Sequence, residues 1–107
     1  MSQEELKQLL LELKSGMVSL YGNRLRGIYM YGSYARGDQD PESDLDILIV
    51  LTNFERASIE IERTGELAST LSLKYGVSIS RKFIFQTYWD EKDSALLRNV
   101  RVEAIAA

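Results

Sequence analysis

Residues Asp44 to Leu51, read as Asp-Leu-Asp-Ile-Leu-Ile-Val-Leu, constrain the fold more than any other segment of the chain. Apart from the two aspartates every residue is apolar, and most are branched. A short run of this kind, bounded by turn-prone sequence, reads as a buried strand. Burying it requires a sheet with helices laid over it, and the remainder of the 107 residues supplies those parts. Ser2 with Glu5 three residues on forms a capping-box pattern, and Leu6, Leu9, Leu10, Leu13, Met17 and Leu20 then follow at amphipathic helical spacing. Gly22 stands where a helix C-terminal glycine belongs. Leu25 to Tyr31 reads as a strand, expected at about 26–31, and Asp38 to Ser43 is a polar, turn-prone link to the strand at 44–51. From about Asn53 to Tyr75 the pattern is helical, with Ile59, Leu67, Leu71 and Tyr75 apolar and Gly76 as its stop. Gly65 weakens that helix by roughly 1 kcal/mol relative to alanine, so a bend is expected there. Val77 to Phe85 reads as a third strand, Trp89 to Asp93 as a helical turn, and Ser94 to Glu103 as a short final helix carrying Leu96, Leu97 and Val100. The expected fold class is α/β (α+β): a single domain over residues 1–107, with a small mixed sheet and helices packed against it. Ile28, Met30, Ile47, Leu48 and Ile49 are expected to be buried.

What the chain lacks limits its chemistry. It has no cysteine and no histidine, which excludes disulfides, thiol nucleophiles, zinc sites and imidazole acid–base work by its own residues. Carboxylates, hydroxyls, Lys and Arg remain, and with them a hard cation bound through oxygen. Thirteen basic residues against sixteen acidic ones argue against a broad nucleic-acid surface, so no direct nucleic-acid binding is expected. No apolar run approaches the ~20 residues that cross a bilayer. The N-terminal segment is acidic and amphipathic, unlike a signal sequence, and the expected location is cytoplasmic.

Acidic residues gather at Asp38, Asp40, Glu42, Asp44 and Asp46, with no Lys or Arg among positions 38–46. Asp38, Asp40 and Glu42 read as a solvated loop. Asp44 and Asp46 differ, because on a strand positions i and i+2 face one side, roughly 6.6 Å apart along the backbone. Two such carboxylates at the end of a buried strand repel and resist burial unless a cation lies between them. The passage Tyr31-Gly32-Ser33 into Tyr34-Ala35-Arg36 is a strand, a tight turn and a short helix. Such a passage aims backbone N–H groups and the Ser33 hydroxyl at whatever lies over the helix start, and equally suits an ordinary turn with Ser33 as N-cap. Together, a phosphate cradle and a two-carboxylate cation site are what metal-dependent nucleotidyl transfer needs.

Gly32-Ser33, ten residues, then Asp44-Leu45-Asp46 resembles the signature of the DNA polymerase beta-like nucleotidyltransferase superfamily. The fuller string from Gly32 to Asp38, with Ser43 to Val50, is similar to its minimal nucleotidyltransferase (MNT) branch. The leading helix, the length and the ending Leu96 to Glu103 look like that branch too. The resemblance implies a nucleotidyltransferase-like fold, Gly32 and Ser33 contacting a nucleoside triphosphate, and Asp44 and Asp46 as the catalytic carboxylates that ligate Mg²⁺. It implies ATP as substrate and Arg36 near the phosphates. Arg36 reads equally as the partner of Asp38 or Asp40, and Ser43 as a residue that orders the loop.

One departure stands out. The superfamily usually supplies a third carboxylate from the next core strand, and Val77-Ser78-Ile79-Ser80-Arg81-Lys82-Phe83 holds no acid. Ser78 and Ser80 share a face, so a serine or a cation takes that place. Arg81 and Lys82 suit a phosphate, the acids of a partner, or solvent. Among the aromatic residues, Tyr34 beside the Gly-Ser turn is the one to examine for base stacking, against a core role.

Three readings follow. In the first the chain transfers AMP from ATP, with Mg²⁺, to a hydroxyl of a partner protein. MNT-branch proteins resemble the antitoxin halves of pairs whose companion is a HEPN-domain ribonuclease toxin, which implies a hetero-oligomer. In the second the same fold is a weakly active or inactive binding module that neutralises the HEPN protein by complex formation. The third is a nucleotide-sensing regulator.

Overall fold

A computed structural model describes residues 1–91, 94, 95, 97, 98, 100, 105 and 106. Helix α1 (Gln3–Tyr21) starts from the capping box read in the sequence: Ser2 Oγ accepts the Glu5 N–H, and Glu5 Oε1 accepts the Ser2 N–H, both at 3.0 Å. Leu6, Leu9, Leu13 and Met17 form its buried stripe. Tyr21 completes that stripe, while Leu20 is exposed. A 3₁₀ turn at Gly22–Arg24 leads into β1 (Leu25–Tyr31), followed by α2 (Ser33–Arg36) and β2 (Leu45–Leu51). The expected helix over 53–75 is two helices, α3 (Ala57–Arg63) and α4 (Gly65–Tyr75), divided at Thr64. Thr64 is fully buried and donates its hydroxyl to the Glu60 carbonyl at 2.8 Å, which turns the chain one residue ahead of Gly65. Strand β3 (Ile79–Phe85) begins two residues later than expected, and α5 (Gln86–Glu91) and β4 (Ile105–Ala106) follow. Of the expected final helix, Ala95, Leu97, Arg98 and Val100 are helical and Ser94 precedes the helix; residues 96, 99 and 101–103 lie outside the described residues, as does Asp93. Among the described residues no helix is long and apolar enough to cross a membrane.

The strands form one mixed sheet in the order β3-β2-β1-β4. β1 runs antiparallel to β2 and β4, and β2 runs parallel to β3. Strand β4 has no signature of its own, because two residues are too few for a pattern. One face of the sheet, carrying Ile28, Met30, Leu45, Ile47, Ile49, Leu51 and Phe83, packs against α1 and α4. The other carries Tyr31 and Leu48 against Val100, with Trp89 at its margin. Coverage of both faces explains why β2 is apolar without alternation, its residues from Ile47 to Leu51 all 1% exposed or less. Glu60 is the one charged residue among the buried set. At 2% exposure it accepts hydrogen bonds from Tyr21 Oη at 2.7 Å and Arg63 Nε at 2.9 Å. A buried carboxylate without such donors would be unfavourable by several kcal/mol, so roughly these contacts set its position.

Candidate active site

The chain leaves β1 at Tyr31 and turns through Gly32, whose φ of 75° and ψ of −153° fall in a region essentially reserved for glycine. There is a second reason for glycine. A Cβ at position 32 would lie 2.4 Å from Asp46 Oδ2. The register accounts for this approach, since Asp46 is the antiparallel partner of Tyr31, the residue just before the turn. The Asp46 carboxylate therefore rests against the Gly32 backbone. Gly32 is buried, Asp46 half-buried and Asp44 exposed, one residue ahead of β2. The Leu45 N–H donates to the Ser78 carbonyl at 2.8 Å and fixes the start of the strand between them.

Gly32 itself is the N-cap of α2, so Ser33 is the first helical residue and makes no side-chain cap bond. The ordinary N-cap reading of Ser33 does not apply. The N–H groups of Ala35 and Arg36 both donate to the Gly32 carbonyl, at 3.1 and 3.0 Å. Those of Ser33 and Tyr34 come before the first intrahelical bond and point out of the helix start. Arg36 Nε lies 3.1 Å from Asp38 Oδ2, in an ion pair whose two side chains are 48% and 60% exposed. Such pairs contribute at most about 1 kcal/mol, so this one does not commit Arg36 to the loop. Ser43 has the loop-ordering role: its hydroxyl accepts the Asp40 N–H at 3.0 Å, while Asp40 Oδ1 accepts the Glu42 N–H at 2.8 Å.

The register also decides which serine faces the site. Ser80 is the parallel partner of Asp46, and Ser78 precedes β3. Side chains of paired residues share a face, so Ser80 stands beside Asp46. Lys82 shares that face and is exposed. Arg81 lies on the other face, where its Nη2 donates to the Ile61 carbonyl at 3.4 Å and desolvation lowers its pKa. Tyr34 packs against the main core, which favours its structural role over base stacking. Tyr29 stacks on Trp89 with ring centroids 4.6 Å apart.

Among the described residues no three His, Cys, Asp or Glu side chains gather as a metal-binding group. Mg²⁺ characteristically takes one or two carboxylates and leaves its other positions to phosphate and water. Asp44 and Asp46 suit that donor set, and the missing side chain at Gly32 is what lets the Asp46 carboxylate lie against the turn.

The nucleotidyltransferase domain family model matches residues 10–103. The chain belongs to the nucleotidyltransferase domain family. It is accordingly a transferase. It is 33% identical over 94 residues to MJ0141 of Methanocaldococcus jannaschii, named as a candidate protein adenylyltransferase, covering 84% of this chain and 94% of that protein. A second such candidate from the same organism, MJ0604, is 41% identical over 69 residues, covering 64% and 63%. Among solved structures, one from a toxin–antitoxin assembly with AMP-PNP has the same fold, with a TM-score of 0.58 and 20% identity. That match covers 99% of this chain and 72% of the other.

Proposed function

We propose that this nucleotidyltransferase moves AMP from ATP onto a hydroxyl group of a partner protein, and that the partner is a HEPN-domain ribonuclease toxin silenced by the modification. The observation that carries the reading is the seating of the Asp46 carboxylate against Gly32, which unites the phosphate-binding turn with the acidic strand end. The names of the M. jannaschii relatives support protein as acceptor, and the toxin–antitoxin assembly with AMP-PNP supports the nucleotide and the toxin partner.

In this reading the amides of Ser33 and Tyr34, with the Ser33 hydroxyl, hold the β- and γ-phosphates, and Arg36 lies within a turn of them. Asp44 and Asp46 would hold Mg²⁺. When bound, the ion neutralises charge on the α-phosphate and the leaving oxygens. The acceptor oxygen forms a bond to the α-phosphorus, the bond to the pyrophosphate oxygen breaks, and pyrophosphate leaves. Ser80 cannot take the hydroxyl proton near neutral pH, so the proton passes to solvent. A positioned base contributes about 10²–10⁴-fold, and its absence slows transfer while positioning and charge stabilisation remain.

The test is incubation of the chain with Mg²⁺, labelled ATP and its partner, followed by mass spectrometry of the partner. A mass increase matching AMP is expected. A complex that suppresses the partner without any such increase refutes transfer and leaves the binding-module reading.

A further inference from the structure

We infer that Lys82 contacts the α-phosphate of the bound nucleotide and stabilises the charge that gathers there during transfer. The inference rests on the nucleotidyl-transfer reading above and adds a residue to that same site. It starts from the two faces of the sheet. Leu45, Ile47, Ile49 and Phe83 lie on the face that α1 and α4 cover. Asp46, Leu48, Ser80 and Lys82 alternate with them and lie on the other face, where Tyr31, Leu48 and Val100 form the smaller cluster. Of the residues paired between strands on this second face, only Asp46 and Lys82 are charged.

Lys82 is the parallel partner of Leu48, one strand across from Asp46 and two residues further along. Such a diagonal sets the two backbones about 7–8 Å apart, within reach of a long side chain. Lys82 is exposed and makes no ion pair among the described residues. Its neighbours on the same face of β3 are Ser80 and Ile84, so no carboxylate of its own strand claims the ammonium. The order across the sheet decides which phosphate it meets. The Gly32-Ser33 turn leaves β1, Asp46 stands near the start of β2, and Lys82 is on β3. With the β- and γ-phosphates at the turn and the α-phosphate beside Asp46, the β3 side of the site adjoins the α-phosphate. A cation beside the reacting phosphoryl group acts more strongly on the transition state, where charge develops, than on bound ATP. An exposed lysine on an edge strand can also discourage edge-to-edge pairing, a role that shows in oligomeric state and leaves kcat alone.

Lys82→Met and Lys82→Arg test this with Mg²⁺, ATP and the partner protein. Lys82→Met is expected to lower kcat for AMP transfer by about 10²-fold while ATP binding weakens by less than about tenfold. Lys82→Arg keeps the charge and should stay within about tenfold of the wild-type kcat. Calorimetry locates the contact without any transfer: Lys82→Met should weaken the binding of AMP and of ATP alike and leave that of pyrophosphate unchanged. The inference is overturned, with the proposed function left standing, if Lys82→Met transfers AMP at the wild-type rate or changes only the oligomeric state. Equal losses in Lys82→Met and Lys82→Arg overturn it too, as does a loss of affinity for pyrophosphate with none for AMP. If the wild type itself labels no partner, the function fails and the inference with it.

Discussion

Replacing Gly32 by alanine tests how the site is assembled. Two costs coincide at this position. The backbone geometry, φ 75° and ψ −153°, is strained for any residue with a Cβ by about 1–3 kcal/mol. The added methyl would also sit 2.4 Å from Asp46 Oδ2 and 3.3 Å from Asp46 Cγ, so the carboxylate must swing away from the turn. Gly37 offers the matched control. Its φ of 80° and ψ of 17° are left-handed, worth about 1–2 kcal/mol against alanine, but nothing lies within 4 Å of a Cβ there. Gly65 offers the opposite control: no positive φ and open space around a Cβ at the start of α4, where alanine gains about 0.4–1 kcal/mol. For a domain of this size 1 kcal/mol moves Tm by roughly 4–8 °C. The expected order of melting temperatures is therefore Gly65→Ala, wild type, Gly37→Ala, Gly32→Ala. Calorimetric titration with Mg²⁺ and ATP should show binding kept by the two controls and lost by Gly32→Ala. If Gly32→Ala and Gly37→Ala prove alike in both stability and ATP affinity, the contact between Gly32 and Asp46 is not what positions the carboxylate.

Other perturbations follow from the same geometry. Asp44→Asn with Asp46→Asn removes two like charges without removing packing, so Tm should hold while Mg²⁺-dependent ATP binding disappears; unchanged affinity would refute the metal assignment. Ser80→Asp places a carboxylate one strand spacing, about 4.8 Å, from Asp46. This variant should melt lower in EDTA, recover with Mg²⁺, and transfer AMP faster by up to about 10²–10⁴-fold, whereas a melt indifferent to Mg²⁺ would contradict the register. Tyr21→Phe deprives the buried Glu60 of one donor, and denaturant unfolding should show a loss of about 1–3 kcal/mol. Hydrogen bonds from Lys74 and then Tyr75 hold the Glu12 carboxyl below its ordinary value of 4.5. Because the folded value is the lower one, Glu12 stabilises the fold above pH 4.5 and loses that contribution as pH falls through the folded value. Thermal melts across that range should show a shallower acid-side decline in Glu12→Gln; identical slopes would exclude the linkage.

Local patterns were legible wherever one element decides them. The capping box at Ser2 and Glu5 requires only contacts three residues apart, and the Leu6, Leu9, Leu13, Met17 stripe follows from helical geometry alone. The apolar run of β2 announced a strand covered on both faces. What escaped depends on partners far along the chain. The helix break falls at Thr64 and not at Gly65 because the Thr64 side chain is buried and bonded to Glu60, a tertiary circumstance with no local signature. Tyr21 joined the core in place of Leu20 because it can carry its hydroxyl to Glu60, 39 positions away. The two-residue β4 is defined wholly by its pairing with Tyr29 and Met30.

The site divides in the same manner. Gly32-Ser33 and Asp44-x-Asp46 are each contiguous and were readable as candidates, but their union depends on the pairing of Tyr31 with Asp46. Alternation put Ser78 and Ser80 on one face, and only the parallel register with β2 sets Ser80 beside Asp46. That position has a consequence for the fold itself. A third acid here would add a like charge at the end of a buried strand, and folding without metal would then have to overcome that repulsion. With serine, the sheet end carries only two carboxylates, Asp46 half-buried and Asp44 exposed. In the proposed reaction a serine here also withholds a proton acceptor, so the two effects should appear together in Ser80→Asp, which is expected to gain rate only where it also gains a need for Mg²⁺.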